Sequence, residues 1–232
     1  MKTITNTGAA IACSLLVLLS GGCSASKQAR SVSLKKSLLV DPSILKKGGR
    51  GSALYGYANP KADFKRYSKV LLEPVLVLKK GKLDLEDREN YQRLANNALV
   101  YLTQELRQDY EVVPAPEPGA FKFQLAIVDA DDSDLASTVL SSVGPASIGL
   151  SLVEYSLTGK QMGVGEITCE AKVTDSMTGE LLGAALDRRV GRKDVTGLFE
   201  TWHSADAALR YWAQRSRATL CLARGGAACV KP

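Results

Sequence analysis

Residues 164–191 read VGEITCEAKVTDSMTGELLGAALDRRVG, and their alternation decides the fold class. Ile167, Cys169, Ala171 and Val173 fall on one side of an extended chain, and Glu166, Thr168, Glu170, Lys172 and Thr174 on the other. A period of two belongs to a strand with one apolar and one polar face. On this pattern Glu166 and Glu170 belong to a solvated sheet face. The stretch DSMTGE, 175–180, carries turn residues, and Leu181–Val190 then returns as a second strand.

Working outward, Phe121, Phe123, Leu125 and Ile127 alternate with Lys122 and Gln124, which predicts another strand. Tyr110–Val113 is a short strand cut off by Pro114, Pro116 and Pro118. Val70–Leu78, VLLEPVLVL, is apolar and β-branched; Pro74 inside it lacks a ladder N–H and predicts an edge position or a bulge. Between these strands Tyr91, Leu94, Ala95, Ala98, Leu102 and Leu106 recur at steps of three or four, which predicts a helix over 87–107. Glu86, Asp87 and Glu89 crowd its start, where the helix dipole favours them. A last helix is expected after Ser204 as N-cap, with Leu209, Trp212 and Leu220 as its buried stripe and Arg210, Arg217 and Arg224 on another face. Hairpins mixed with two helices predict an α+β fold: a mostly antiparallel sheet with two main helices packed on it.

The N-terminus is a targeting segment. Lys2 is its only charge, an apolar run spans 9–19, and Ser20, Gly21, Gly22 and Cys23 follow. The run is shorter than the roughly 20 apolar residues a membrane-spanning helix needs. Small residues before a cysteine resemble a bacterial lipobox, with Leu19 four residues before the cysteine instead of three. The expectation is acylation at Cys23 and removal of residues 1–22; ordinary cleavage near Ala25 and an uncleaved anchor are the competing readings. Ser24 stands where an aspartate, by resemblance to Gram-negative lipoproteins, would signal inner-membrane retention, so the outer membrane is the expected destination. Residues 23–37 read as a polar tether reaching on the order of 20 Å as a coil. Residues 38–232 read as a single periplasmic domain.

Composition narrows the chemistry. Among 232 residues, 45% are hydrophobic and 23% charged, which excludes disordered, collagen-like and coiled-coil chains. The net charge of +6, which falls to +5 when Lys2 is cleaved away, sits where cytoplasmic nucleic acid is not met, so the anionic neighbours are lipid phosphates, acidic head groups and peptidoglycan carboxylates. A single histidine and the absence of CxxC leave no metal or cofactor to expect. With Cys13 cleaved away and Cys23 acylated, Cys169, Cys221 and Cys229 remain for an oxidising compartment. Cys169 shares the apolar face of its strand, and Gly225 and Gly226 let the chain turn back, so Cys221–Cys229 is the expected disulfide.

Other groupings read as structural. His203 and Ser204 adjoin at a helix start without a nucleophile elbow. Asp129–Asp134 departs from a calcium loop, with Asp134 and Leu140 where Gly and Glu are required. Gly159–Lys160 lacks the rest of a phosphate-binding loop. Arg188 and Arg189 either pair with Asp187, Glu166 or Glu170, or join Arg192, Lys193 and the terminal helix arginines in a patch for an anion or a partner. Residues 135–153 carry no charge and are broken by Gly144–Pro145. They read as a crossover packed on the sheet or as a contact element for a subunit interface.

The segments YANPKADFKRYSKVLLEPVLV (57–77), VGEITCEAKVTDSMTGELLGAALDRRVG (164–191) and ALRYWAQRSRATL (208–220) resemble a Gram-negative lipoprotein family known only as a domain of unknown function, number 3313. The resemblance implies the envelope and a compact α+β domain, and no established activity. More distantly, the strand–helix–strand start on a lipidated tail is similar to periplasmic domains of curli-secretion-type lipoproteins. The expected function is thus a non-enzymatic binding or scaffolding module, anchored in the outer membrane through acyl chains on Cys23. Its expected partners are an envelope protein or anionic envelope component, with homo-oligomerisation open. The alternatives are a subunit of an oligomeric secretion assembly and, as a minor one, a periplasmic hydrolase.

Overall fold

A computed structural model describes residues 26–80, 82–129, 137–142, 166–191, 201–227, 229–230 and 232. Cys23, residues 130–134 of the acidic run, Gly159–Lys160, Arg192 and Lys193 lie outside these residues, as does most of 135–153. The hairpin at the centre consists of β9 (Glu166–Asp175) and β10 (Leu181–Gly191), paired antiparallel. On the other side of β9 lies β7 (Ala120–Asp129), also antiparallel. The outer edge of β7 is shared by β4 (Lys69–Leu72) and β5 (Leu76–Lys80), both parallel to it. Next to these come β6 (Glu111–Val112), on β4, and β8 (Ser137–Ser141), on β5. Pro74 falls in the break between β4 and β5, inside the sheet and away from an edge. There the Val75 N–H donates to Ser142 Oγ (2.8 Å) in place of a ladder bond.

Two helices cover one face. α1 (Leu85–Leu106) starts at Asp84, whose carboxylate accepts from the Asp87 N–H, and buries Tyr91, Leu94, Ala95, Ala98, Leu102 and Leu106. α2 (Thr201–Ala223) begins earlier than expected: Ser204 is buried within the helix and is no cap. Arg210, Arg217 and Arg224 do not form a free basic face. Arg210 lies over the Tyr101 ring (4.1 Å), Arg217 Nε donates to Asp109 (2.7 Å), and Arg224 covers Tyr110 (4.9 Å). Spaced one heptad apart, they form the seam between the two helices. Beneath it Tyr110 and Tyr67 meet Phe121 edge-on, at 5.0 and 6.0 Å between ring centroids. Such contacts add about 1 kcal/mol each beyond area burial.

The second sheet face is not solvated. Residues expected to be a tether form β1 (Ser26–Gln28), antiparallel to β10, and then a single 3-10 turn over Leu34–Lys36. β2 (Lys46–Lys47) and β3 (Tyr55–Ala58) extend the same edge. Val32, Leu45, Ala184 and Leu186 form a small second core under this arm. Residues 26–37, part of the expected tether, are therefore packed on the sheet. These strands escape a pattern search because they are two to four residues long and too short to show a period.

The arm corrects the reading of Glu170. Its side chain is fully buried and accepts from Ser37 Oγ (2.7 Å) and from the N–H groups of Leu38 (2.7 Å) and Leu39 (2.8 Å). All three are neutral donors: backbone amides and a hydroxyl take the place of bulk solvent around the carboxylate. At the far end of the hairpin Asp175 accepts from Tyr67 OH (2.9 Å), from the N–H groups of Met177 and Thr178, and from Arg66. Burial alone would raise the Asp175 carboxyl, but these donors outweigh it and hold it at about 2. Burial and the Asp175 contact push the Tyr67 hydroxyl up to about 12.

Two outcomes follow. Glu170→Gln places an amide against three donors and lowers stability by about 2 kcal/mol, read from urea unfolding. Asp175 is depressed in the folded state, so its contribution is complete above about pH 3.8 and is lost as pH falls through about 2. Across that window stability drops on the order of 2 kcal/mol in the wild type. In Asp175→Asn this part of the pH dependence is absent.

Candidate functional site

The face of β10 that looks toward α2 carries Gly183 and Ala185, then Asp187 and Arg189. Two residues with little or no side chain cannot fill the distance to a helix, and Gly56 on β3 beside them adds nothing. The result is a cavity of about 560 Å³ between α2 and strands β3, β10, β9 and β7. Its size falls in the range of small-molecule sites. Ala171, Gly183 and Ala185 face the helix layer in the middle of the sheet yet retain partial solvent exposure, because the cavity reaches them.

The walls are apolar: Phe64, Phe123, Leu125, Val173, Trp212 and Leu220. Buried Asp187 is part of the lining. Its carboxylate accepts from Gln28 Nε2 (2.7 Å), the Leu54 N–H (3.2 Å) and Trp212 Nε1 (2.9 Å). This one side chain thus ties β10 to the N-terminal arm and to α2. The exposed lining residues Lys46, Lys47 and Leu222 mark the open rim, together with half-buried Arg215. Arg215 donates to the Gly51 carbonyl and latches the 48–52 turn onto the helix. Gly48 permits that turn, since a Cβ there would run into the Ala53 carbonyl.

Cys169, the free thiol, borders the cavity and is buried. Burial pushes its thiol well above the ordinary value, with Asp187 and Glu170 adding to the effect. It is a thiol at neutral pH and a poor nucleophile. Cys221 and Cys229 are joined at the end of α2, where Gly226 is needed because a Cβ would lie 2.6 Å from Cys221 Sγ. His203 is exposed on the first turn of α2 and does not line the cavity. Among the described residues no group of acids, cysteines and histidines is arranged to hold a metal.

The described half of the anion patch is taken up internally. Arg188 pairs with Glu166 across the hairpin and donates to the Ser31 carbonyl (3.1 Å). Arg189 is buried, donates to Ser26 Oγ (3.0 Å) and to the Ser26 carbonyl (2.8 Å), and stacks on Tyr211 at 3.7 Å. Burial lowers its guanidinium value, opposed by Tyr211 and Asp187. Alternation placed Asp187 and Arg189 on one face, but neither an arm nor a cavity was legible there. The available signal was Gly183 with Ala185, an apolar strand face without bulk.

The model of the family described as Protein of unknown function (DUF3313) matches residues 35–216. None of the curated proteins matches the chain. Among solved structures it is similar to the PelC dodecamer from Paraburkholderia phytofirmans at 13% identity, over 74% of this chain and 95% of that one, with a TM-score of 0.34. It is also similar to a DUF4136 family protein from Bacteroides thetaiotaomicron VPI-5482 at 15% identity, over 70% and 95%, with a TM-score of 0.35. At these scores neither likeness carries an argument about this chain.

The role of Asp187 is open to a double-mutant cycle. Trp212→Phe and Gln28→Ala each remove one donor and cost about 1–3 kcal/mol, and Asp187→Asn costs at least as much. Coupling between positions 187 and 212 of about 1 kcal/mol or more is expected in urea unfolding, and additivity would refute the contact.

Proposed function

Because the chain belongs to the DUF3313 family of proteins of unknown function, we propose its role from its own geometry: a lipid-anchored, periplasm-facing module of the outer membrane that binds a ligand beneath α2 and catalyses nothing. The observation that carries the binding reading is the cavity. It is mostly apolar and reaches the middle of the sheet. The reactive groups in it are already engaged: Asp187 has three donors and Cys169 is held as a thiol.

The anchoring reading rests on Cys23 behind the apolar run 9–19, and the arm gives it mechanical content. β1 begins three residues after Cys23, a reach of about 10 Å when fully extended. Acyl chains on Cys23 would hold the β1–β10 corner against the head groups, with no long leash between. Exposed Lys27 and Arg30 stand at that corner, where anionic lipid attracts them. Among the described residues no helix is long and apolar enough to cross a membrane, so attachment would fall to the lipid.

Two measurements test the two halves. Labelling with radioactive fatty acid tags the wild type, which sediments with outer membrane, whereas Cys23→Ala is unlabelled and released; equal labelling would refute the anchor. The neutral apolar dye N-phenylnaphthylamine binds the processed chain saturably at one site. Ala185→Phe and Ala171→Leu, which fill the cavity from two strands, abolish that binding while leaving the circular dichroism unchanged.

A further inference from the structure

Resting on the cavity as a ligand site, we propose that its occupant is an amphiphile with one aliphatic chain and an anionic head, the chemistry shared by a fatty acid and a lysophospholipid. The lining from Tyr211 to Ala223 runs along about 18 Å of α2, a slot suited to a linear chain. Its walls offer a hydrocarbon tail rings and branched side chains and almost no polar group to satisfy.

Charge selects the head group. Buried Asp187 accepts from Gln28, Leu54 and Trp212, and as a carboxylate it repels an anion. At the rim Lys46, Lys47 and Arg215 are the charged lining residues, all cationic. Arg215 spends one N–H on Gly51 and keeps further donors of its guanidinium for an anion. The acidic head therefore sits at Lys46, Lys47 and Arg215, and the tail lies along the apolar walls beside Trp212. A ligand neutral at its head loses the rim contacts, and one with a cationic head meets three like charges.

The test uses the processed chain from residue 23 onward with Cys23→Ala, in a Trp202→Phe background that leaves Trp212 as the sole tryptophan. Stearate brominated at mid-chain quenches Trp212 saturably at one equivalent. Palmitate and lysophosphatidylglycerol each displace it, the stronger competitor identifying the source, and hexadecanol competes about tenfold more weakly. Lys47→Glu with Arg215→Glu removes that tenfold preference and leaves hexadecanol unaffected. Ala185→Phe, with Ala171→Leu as the second filler, abolishes quenching at unchanged helix content. Equal competition by hexadecanol and palmitate overturns the anionic head while the ligand site stands. Absence of quenching with N-phenylnaphthylamine still bound overturns the aliphatic chain. Failure of the dye as well overturns the cavity reading itself.

Discussion

Glu170 is a fully buried carboxylate in the central hairpin of the sheet, held by neutral donors. Left bare it would cost several kcal/mol, and the two amides and one hydroxyl of residues 37–39 are what make it tolerable. The rest of the architecture follows from that dependence. Residues 32–45 must lie across the face of the sheet opposite the helices, and the strands on either side of them extend its edge. Once there they also supply Ser26 to Arg189 and Gln28 and Leu54 to Asp187. The β9–β10 hairpin is thus gripped on both faces, by α2 through Trp212 and Tyr211 and by the arm through its backbone.

Local periodicity carried the helix layer well. The apolar faces of β7 and β9 and the stripe of α1 are long enough to repeat several times, and every residue placed on the α1 stripe is buried. What alternation cannot supply is the fate of the opposite face. Glu170 between Thr168 and Lys172 has the pattern of a wet surface, and only a distant segment, more than a hundred residues earlier, makes it a buried one. The same holds for the arginines. A heptad spacing at 210, 217 and 224 looks like a basic stripe until α1 and the turn after it bring Tyr101, Asp109 and Tyr110 against it. Pairing partners for polar residues come from tertiary contact, and one sequence does not list them.

The cavity shows the complementary case, in which what matters is missing side-chain volume. Gly183 and Ala185 satisfy the strand pattern as well as valine would, so periodicity passes over them. Their effect appears only when α2 is held at the height set by Trp212 on Asp187 and by the arginine seam. A helix held up by polar contacts over a strand face of small residues leaves space, and here that space has cations at its mouth. The same carboxylate that props the helix also lines the cavity, which links the stability of the domain to the shape of its candidate site.

Both the proposed seating at the membrane and the height of the helix require the arm to be part of the fold. Amide hydrogen exchange on the processed chain with Cys23→Ala measures this at the residues concerned. Leu38 and Leu39 donate to Glu170, and Ala29 donates to the Arg188 carbonyl (2.8 Å). The account predicts protection of these three amides comparable with that of the β9 ladder, lost together with it in Glu170→Ala. Exchange of residues 26–40 at the rate of an unstructured chain, beside a protected β9–β10 hairpin, would contradict it.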